Sequence, residues 1–441
     1  MSMVVKNNMS AVSTLNTLNK NSSALASSLK KVSSGMKINS AADDASGYAI
    51  SERMRVQIRG LDQANQNTQN GTSMMKVAEG AVSSTVDILK TLKEKVINAA
   101  NDTNTDADRA TIQKELDQSI DQINDNANVT YNGKYLVDGS HNSKVQTTTT
   151  AMTNESLFSA TTGSTAFCAM QDRNGNSLNI NSLDTVTISF VKEGKTYSAT
   201  ASATDNLNKL IENANNATDG KGNQVKAFST TITTASYIGK DIAGDTVHTA
   251  DEKNALTISA ADSGVSNQIS GITISVTNTQ GQVQKSANAV LDNFSESVRA
   301  QNKSDDNAIN LQVGTKANQS IRVGLTDMRA EALGLQSSTG QTIQIGTQQQ
   351  ANAAVNVLDN AVQKALDQQT TIGSVQSRLS YTSSNLTTAS ENVQASESTI
   401  RDADMAKEMT EYTKNNVLLQ AAQSMLAHAN QSSSSVLSLL Q

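Results

Sequence analysis

Apolar residues recur at alternating intervals of three and four at both ends of the chain. The series Leu15, Leu18, Ser22, Leu25, Leu29, Val32 forms a heptad stripe, the mark of a helix with one apolar seam. Past a turn at Gly35 a longer series keeps one register: Ile50, Met54, Gln57, Leu61, Ala64, Thr68, Gly71, Met75, Ala78, Val82, Thr85, Leu89, Leu92, Val96 and Ala99. At 1.5 Å per residue this predicts about 75 Å of helix. Ile112, Leu116, Ile120 and Ile123 predict a third helix, folding back after the loop 101–108. The carboxyl-terminal part answers with a stripe running from Val355 through Leu358, Ala365, Ile372, Leu379, Leu386 and Val393 to Ile400. A final stripe runs Met405, Met409, Tyr412, Asn416, Leu419, Gln423 and Leu426.

Taken singly, each stripe is what any packed helix shows. Their length is not, because periodic patterns well beyond 25 residues belong to coiled coils or extended bundles. Gln57, Thr68, Gly71, Gln369, Gln376 and Asn416 dilute the seams. Polar seam residues lower pair stability while fixing register or partner number. The terminal stripes are short of bulky residues, marginal as isolated coils, and read as surfaces awaiting other copies.

The middle, residues 144–304, changes character. "DTVTISFVKEGKTYSATAS" (184–202) alternates apolar and polar around "KEGK", a β-hairpin signature. "DNLNKLIENANNA" (205–217) predicts a short amphipathic helix, and strands are expected at 228–238, 254–261 and 271–278. A second small hairpin is expected at 308–325. The fold class is mainly α with an α+β insert, and such inserts face outward.

Composition sharpens this picture. The chain has 441 residues, no proline, no Trp and 3% aromatics; about 20 prolines would be usual at this length. Their absence suits long unbroken helices and a chain that never waits for prolyl isomerisation. A net charge of −6 offers no footprint for nucleic acid. No apolar run is long enough to span a bilayer, and the first 20 residues lack a secretory h-region. The lone Cys168 excludes an intrachain disulfide framework.

Candidate chemistry is sparse. His141, His248 and His428 lie in three different segments, and no HExxH, GxxxxGK[ST] or GxSxG motif occurs. Asp43 and Asp44, ahead of the second helix, read as capping groups rather than an acid–base pair. No catalytic, cofactor-binding or metal-ligating residue is expected, and no enzyme activity.

Three stretches carry a resemblance. "KKVSSGMKINSAADDASGYAISERMRVQIRGLDQANQNTQNGTSMMKVAEGAV" (30–82), "LQVGTKANQSI" (311–321) and "IRDADMAKEMTEYTKNNVLLQAAQSMLAHANQSSSSVLSLLQ" (400–441) closely resemble bacterial flagellin. The likeness covers about residues 1–143 and 305–441. It implies that the terminal helices pair into a coiled coil lining the inner tube of a helical filament. Residues 1–39 would be the amino-terminal tube helix and spoke, with Gly35 and Ile38 in the spoke, and 400–441 the carboxyl-terminal tube helix. Residues 40–143 with 305–399 would be an elongated helical rod, and 144–304 the outer variable domain. The polymerisation residues expected on the tube helices are Leu15, Leu18, Leu25, Leu29, Val32, Met405, Met409, Tyr412, Leu419 and Leu426.

The same resemblance implies terminal regions that are disordered in the free subunit and fold on assembly. It also implies export through the flagellar type III channel, an extracellular filament serving motility, and a homopolymer. The further partners are an export chaperone over the carboxyl-terminal stripe, cap and hook-junction proteins, and a host Toll-like receptor. Strongly activating flagellins carry an arginine, a leucine four residues later and a glutamate on the next helix. Alignment places Thr91, Lys95 and Glu115 there, so only the glutamate matches and weak activation is expected. In the best-known enterobacterial arrangement the variable domains follow the hairpin, whereas here the insert precedes it. The alternatives are a hook–filament junction protein and an activity hidden in the insert; the embedded zinc peptidase of some flagellins would need the HExxH that is missing.

Overall fold

The computed structural model describes residues 8–218 and 222–439, and its helices follow the predicted stripes. They are α1 (Met9–Ser34), α2 (Ala45–Ala99), α3 (Asp106–Ala127), α4 (Leu207–Asn215), α5 (Lys285–Leu291), α6 (Ala330–Leu333), α7 (Gln348–Arg401) and α8 (Met405–Leu439). The strands are β1 (Thr130–Tyr131), β2 (Lys134–Tyr135), β3 (Ala151–Asn154), β4 (Thr185–Lys192), β5 (Lys195–Ser202), β6 (Thr233–Ala235), β7 (Tyr237–Lys240), β8 (Thr246–His248), β9 (Ala255–Ser259), β10 (Ile269–Thr277), β11 (Ser295–Val298), β12 (Ile309–Gln312) and β13 (Ser320–Val323).

Local chemistry sets the helix ends. Gly35, at φ 71°, closes α1 by donating its N–H to Lys31 O, a left-handed position that glycine adopts without a Cβ penalty. Asp44 Oδ1 accepts the N–H groups of Ser46 and Gly47 at 3.0 Å and so starts α2. Asp43 instead accepts from Asn39 N, Ser40 N and Ser40 Oγ, and these bonds, those of Ser40 first, hold its carboxyl below the usual range. A reciprocal capping box between Thr105 and Asp108 opens α3. Asp404 Oδ1 caps α8 through Ala406 N and Lys407 N.

The chain divides into two compact units. One contains the chain up to Thr68, Gln312–Gln319 and the chain from Tyr381. Here α1 runs antiparallel to α8, and the start of α2 faces the end of α7 largely through polar pairs. Ser383 Oγ donates to Asn65 Oδ1 at 2.7 Å, Ser390 Oγ to Asp62 Oδ1 at 3.0 Å, and Arg55 lies 3.5 Å from Glu397. The tip of the β12–β13 hairpin lies close on α2, since a Cβ at Gly60 would come within 2.9 Å of Thr315 Cγ2.

The other unit contains Gln69–Leu311 and Ser320–Ser380. Met75, Ala78, Val82, Leu89, Leu92 and Val96 of α2 are buried, as are Leu116, Ile120 and Ile123 of α3 and Leu358, Ala365, Ile372 and Leu379 of α7. Each large aliphatic of this kind contributes about 1.5–3 kcal/mol by leaving water. The insert adds the antiparallel sheets β11-β3-β9-β6 and β10-β4-β5 around a core that includes Phe167, Phe190 and Phe228. Its two ends are pinned together where Val145 bridges Ser304 and Thr148 bridges Gln301. It also packs on α7: Asn356 Nδ2 donates to Ile272 O and Asn360 Nδ2 to Ser270 O, both at 2.9 Å.

The β4–β5 hairpin turns at Glu193 and Gly194, both at positive φ, the conformation expected of a two-residue hairpin. The expected strand over 228–238 is divided. Phe228 opposes Ala260, residues 233–235 pair with β9, and the chain then leaves as β7 to pair with β8. The chain bulges between the two pairings because four residues, 229–232, stand opposite only two, Ile258 and Ser259. Strands β3 and β11 and helix α5 lie in stretches where no element was expected. β3 is buried throughout, and its polar members are satisfied only in the fold: Thr153 Oγ1 meets Thr257 Oγ1 at 3.1 Å, and Asn154 Nδ2 donates to Val290 O at 2.8 Å.

Candidate functional site

Polar contacts cross the α1–α8 pair along its whole length. Asn8 Nδ2 donates to Ala429 O at 3.0 Å, Asn21 Nδ2 to Leu418 O at 3.2 Å and Asn415 Nδ2 to Ser28 Oγ at 3.0 Å. Lys31 Nζ lies 3.6 Å from Glu408 Oε1. Only Ser28 and Ala422 are fully buried among the described side chains of the two helices.

The inward face of α1 is Ala11, Thr14, Leu18, Asn21, Leu25, Ser28 and Val32. It shares Leu18, Leu25 and Val32 with the predicted stripe, spaced by seven. Between these anchors the seam takes the residue three on, not four on. Ser28 therefore lies inside, while Leu15 and Leu29 are 45% and 51% exposed. On α8, Tyr412, Leu419 and Leu426 are half-buried against α1, whereas Met405 and Met409 are 43% and 45% exposed. Leu15, Leu29, Met405 and Met409 are thus not part of the seam between the two helices. With Met9, Val12, Val417 and Met425 they leave apolar surface uncovered on both helices.

The α1–α2 and α7–α8 connections meet. Lys37 N donates to Arg401 O at 2.8 Å, Ala403 N to Gly35 O at 2.9 Å, and Met36 bridges Asp402. Ile38 is buried beside them. The guanidinium of Arg401 stacks 5.3 Å from the Tyr48 ring centroid and donates from Nη1 to Glu52 Oε1 at 2.6 Å. That bond holds the Glu52 carboxyl below its ordinary range.

On the other unit Thr91 is exposed, its hydroxyl donating to Asp87 O at 3.0 Å. Lys95 Nζ lies 3.1 Å from Glu115 Oε1, so two of the three aligned positions form an ion pair across α2 and α3.

Sequence reasoning missed Asn21, Ser28, Asn415 and Ala422 as seam residues. The same three-four alternation contains them, but small and polar residues are outvoted by nearby leucines when a stripe is read from hydrophobicity. Among the described residues no group of three or more His, Cys, Asp and Glu is placed to hold a metal, and no helix is long and apolar enough to cross a membrane.

The family model for the bacterial flagellin N-terminal helical region matches residues 5–142, and that for the C-terminal helical region matches residues 355–440. Flagellin of Clostridium tyrobutyricum is 31% identical over 439 residues, covering 97% of this chain and 99% of that protein. Flagellin of Bacillus subtilis is 31% identical over 458 residues, covering 99% and 100%. The solved structure of flagellar hook associated protein-3 from Legionella pneumophila covers 78% of this chain and 97% of its own at 15% identity, with a TM-score of 0.33.

Proposed function

The chain belongs to the flagellin family, whose members are structural subunits of the extracellular flagellar filament, and we propose that it polymerises through the outer faces of α1 and α8. The observation that carries this reading is the apolar surface the helix pair leaves in water, Leu15, Leu29, Met405 and Met409 among it. Large apolar side chains left exposed along one helix pair mark an interaction site, and head-to-tail contacts that do not close generate an open helical polymer. The internal seam is too polar to be the main source of stability, so further copies would supply the missing burial.

In this reading residues 1–39 form a tube helix and its spoke and residues 400–441 the second tube helix, and Leu18, Leu25, Val32, Tyr412, Leu419 and Leu426 join the two helices of one subunit. Residues 40–143 and 305–399 form the rod, and 144–304 the outward insert. An export chaperone covers the uncovered face of α8 before secretion through the type III channel, as amphipathic helices are commonly received in apolar grooves. Cap and hook-junction proteins bind the same helices at the two filament ends. Recognition by the host Toll-like receptor is weak. Thr91 and Lys95 replace the arginine and leucine of strong activators, and Lys95 competes for the Glu115 carboxylate.

The test is the double substitution Leu15→Ser and Leu29→Ser. Circular dichroism should show an unchanged monomer, because neither residue is in the seam, while seeded assembly followed by sedimentation should fall sharply. Normal assembly of this variant would remove the proposed surface.

A further inference from the structure

A cavity of about 340 Å³ opens where the segment 299–304, returning from the insert, meets residues 326–333 and the middle of α7. It has no part in the assembly reading, and its volume is at the low end for small-molecule sites. Its walls run against the acidity of the chain. Arg299, Lys303, Arg329 and Lys364 face it, against Asp327 and Asp367, in a protein of net charge −6.

Both wall carboxylates are already engaged. Arg329 Nη2 donates to Asp327 Oδ2 at 2.6 Å. Asp367 accepts from Arg299 Nη2 at 2.5 Å and from Gln363 Nε2 at 3.2 Å. Lys364 is taken by Glu296 at 3.3 Å. Lys303 is exposed and enters no ion pair among the described residues. Donor capacity along the wall therefore exceeds what the protein's own acceptors use.

Gln368, 4% exposed, supplies the decisive group. Its Oε1 accepts from Thr326 N at 3.3 Å and Thr326 Oγ1 at 2.6 Å. Reversing the amide would set N–H against the Thr326 N–H, which favours this orientation. Nε2 is then left buried with no partner among the described residues, and so is Asn142 Oδ1 on the same wall. Buried polar groups nearly always find partners, and an orphaned donor calls for a bound species that completes it.

We propose that this cavity binds a small, partly protonated oxyanion, with hydrogen phosphate as the representative. Its oxygens accept from Gln368 Nε2 and from the Lys303 ammonium, and its remaining O–H donates to Asn142 Oδ1. Chloride has no oxygen to share among separate donors, and sulfate at neutral pH has no proton for Asn142. Both should bind more weakly. Binding to the folded state alone would stabilise this unit by mass action.

The experiment uses the full chain at neutral pH, with thermal unfolding followed by circular dichroism and binding by calorimetry. Inorganic phosphate is compared with sodium chloride and sodium sulfate at matched ionic strength. The expected result is a saturable rise in melting temperature specific to phosphate. Gln368→Glu keeps the acceptor for Thr326 but replaces the free donor with a carboxylate oxygen, and should abolish the rise. Lys303→Ala alters an exposed side chain, so folding is preserved, and should weaken phosphate binding about tenfold, lowering the saturation curve accordingly. An equal rise with matched chloride, or a phosphate response unchanged in Lys303→Ala and Gln368→Glu, overturns the proposal.

Discussion

Arg401, the last residue of α7, donates to Glu52 on the second turn of α2 at 2.6 Å and lies over the Tyr48 ring. The contact joins residues 349 positions apart at the point where both chain halves leave their long helices for the terminal pair. Arg401 is 6% exposed, whereas Glu52 keeps substantial contact with water. The arginine therefore matters more than its partner. Arg401→Met should lower stability by about 1–2 kcal/mol through the lost cation–π contact and re-packed stem. Glu52→Gln should do less. Denaturant titration of the two variants checks the order, and equal losses would show that the pairing of charges, rather than arginine packing, holds this junction.

The polar seam of α1 and α8 makes a second prediction. Asn21 and Asn415 hold the register through side-chain bonds across the pair, at the cost of apolar burial. Asn21→Leu should raise the thermal stability of terminal helicity by about 1 kcal/mol, while allowing shifted registers that slow or misdirect assembly. Helicity at 222 nm against temperature, read beside the seeded elongation rate, tests both halves. A rise in both quantities would mean that Asn21 does not set register.

Much of the helical architecture was legible in the sequence, because only a long helix keeps a three-four repeat in one register from Ile50 to Ala99. The buried faces of α2 and α7 follow it closely from Leu61 to Ala99 and from Leu358 to Leu379. Which flank of α1 faces inward was not legible. Leu15 and Leu29 outrank Thr14 and Ser28 in any hydrophobic reading, yet the fold leaves both leucines on the outer side of the pair. β3 was hidden for a different reason. "AMTN" looks like loop until Thr257 and the carbonyl of Val290 supply its hydrogen bonds.

Asp292 gives a pH dependence of definite sign. Burial raises its carboxyl from 3.8 to about 6, against the opposing bonds from Ile274 N and Asn356. The folded chain thus holds this proton more tightly than the unfolded chain. Its contribution favours folding below about pH 4 and is lost as pH rises through about 6, a change on the order of 1–3 kcal/mol. Asp292→Asn should therefore stabilise the protein at pH 8 and have little effect at pH 4. Urea titrations at both values decide it, and a pH-independent difference would contradict the assignment.

For the receptor, Thr91→Arg together with Lys95→Leu should raise activation in a Toll-like receptor reporter assay. The change supplies the missing guanidinium fork and releases Glu115 from Lys95. Restoring one interface hot spot of about 2 kcal/mol corresponds to roughly a thirtyfold gain in potency. An unchanged response would mean that these positions do not limit recognition.

Electron microscopy of the purified chain after addition of sheared filament seeds tests the central claim most directly. The full chain should grow long tubes, and chains lacking residues 1–34 or 405–441 should add no length under the same conditions. Tubes formed by the trimmed chains, or a full chain that stays monomeric with seeds present, would contradict polymerisation through α1 and α8.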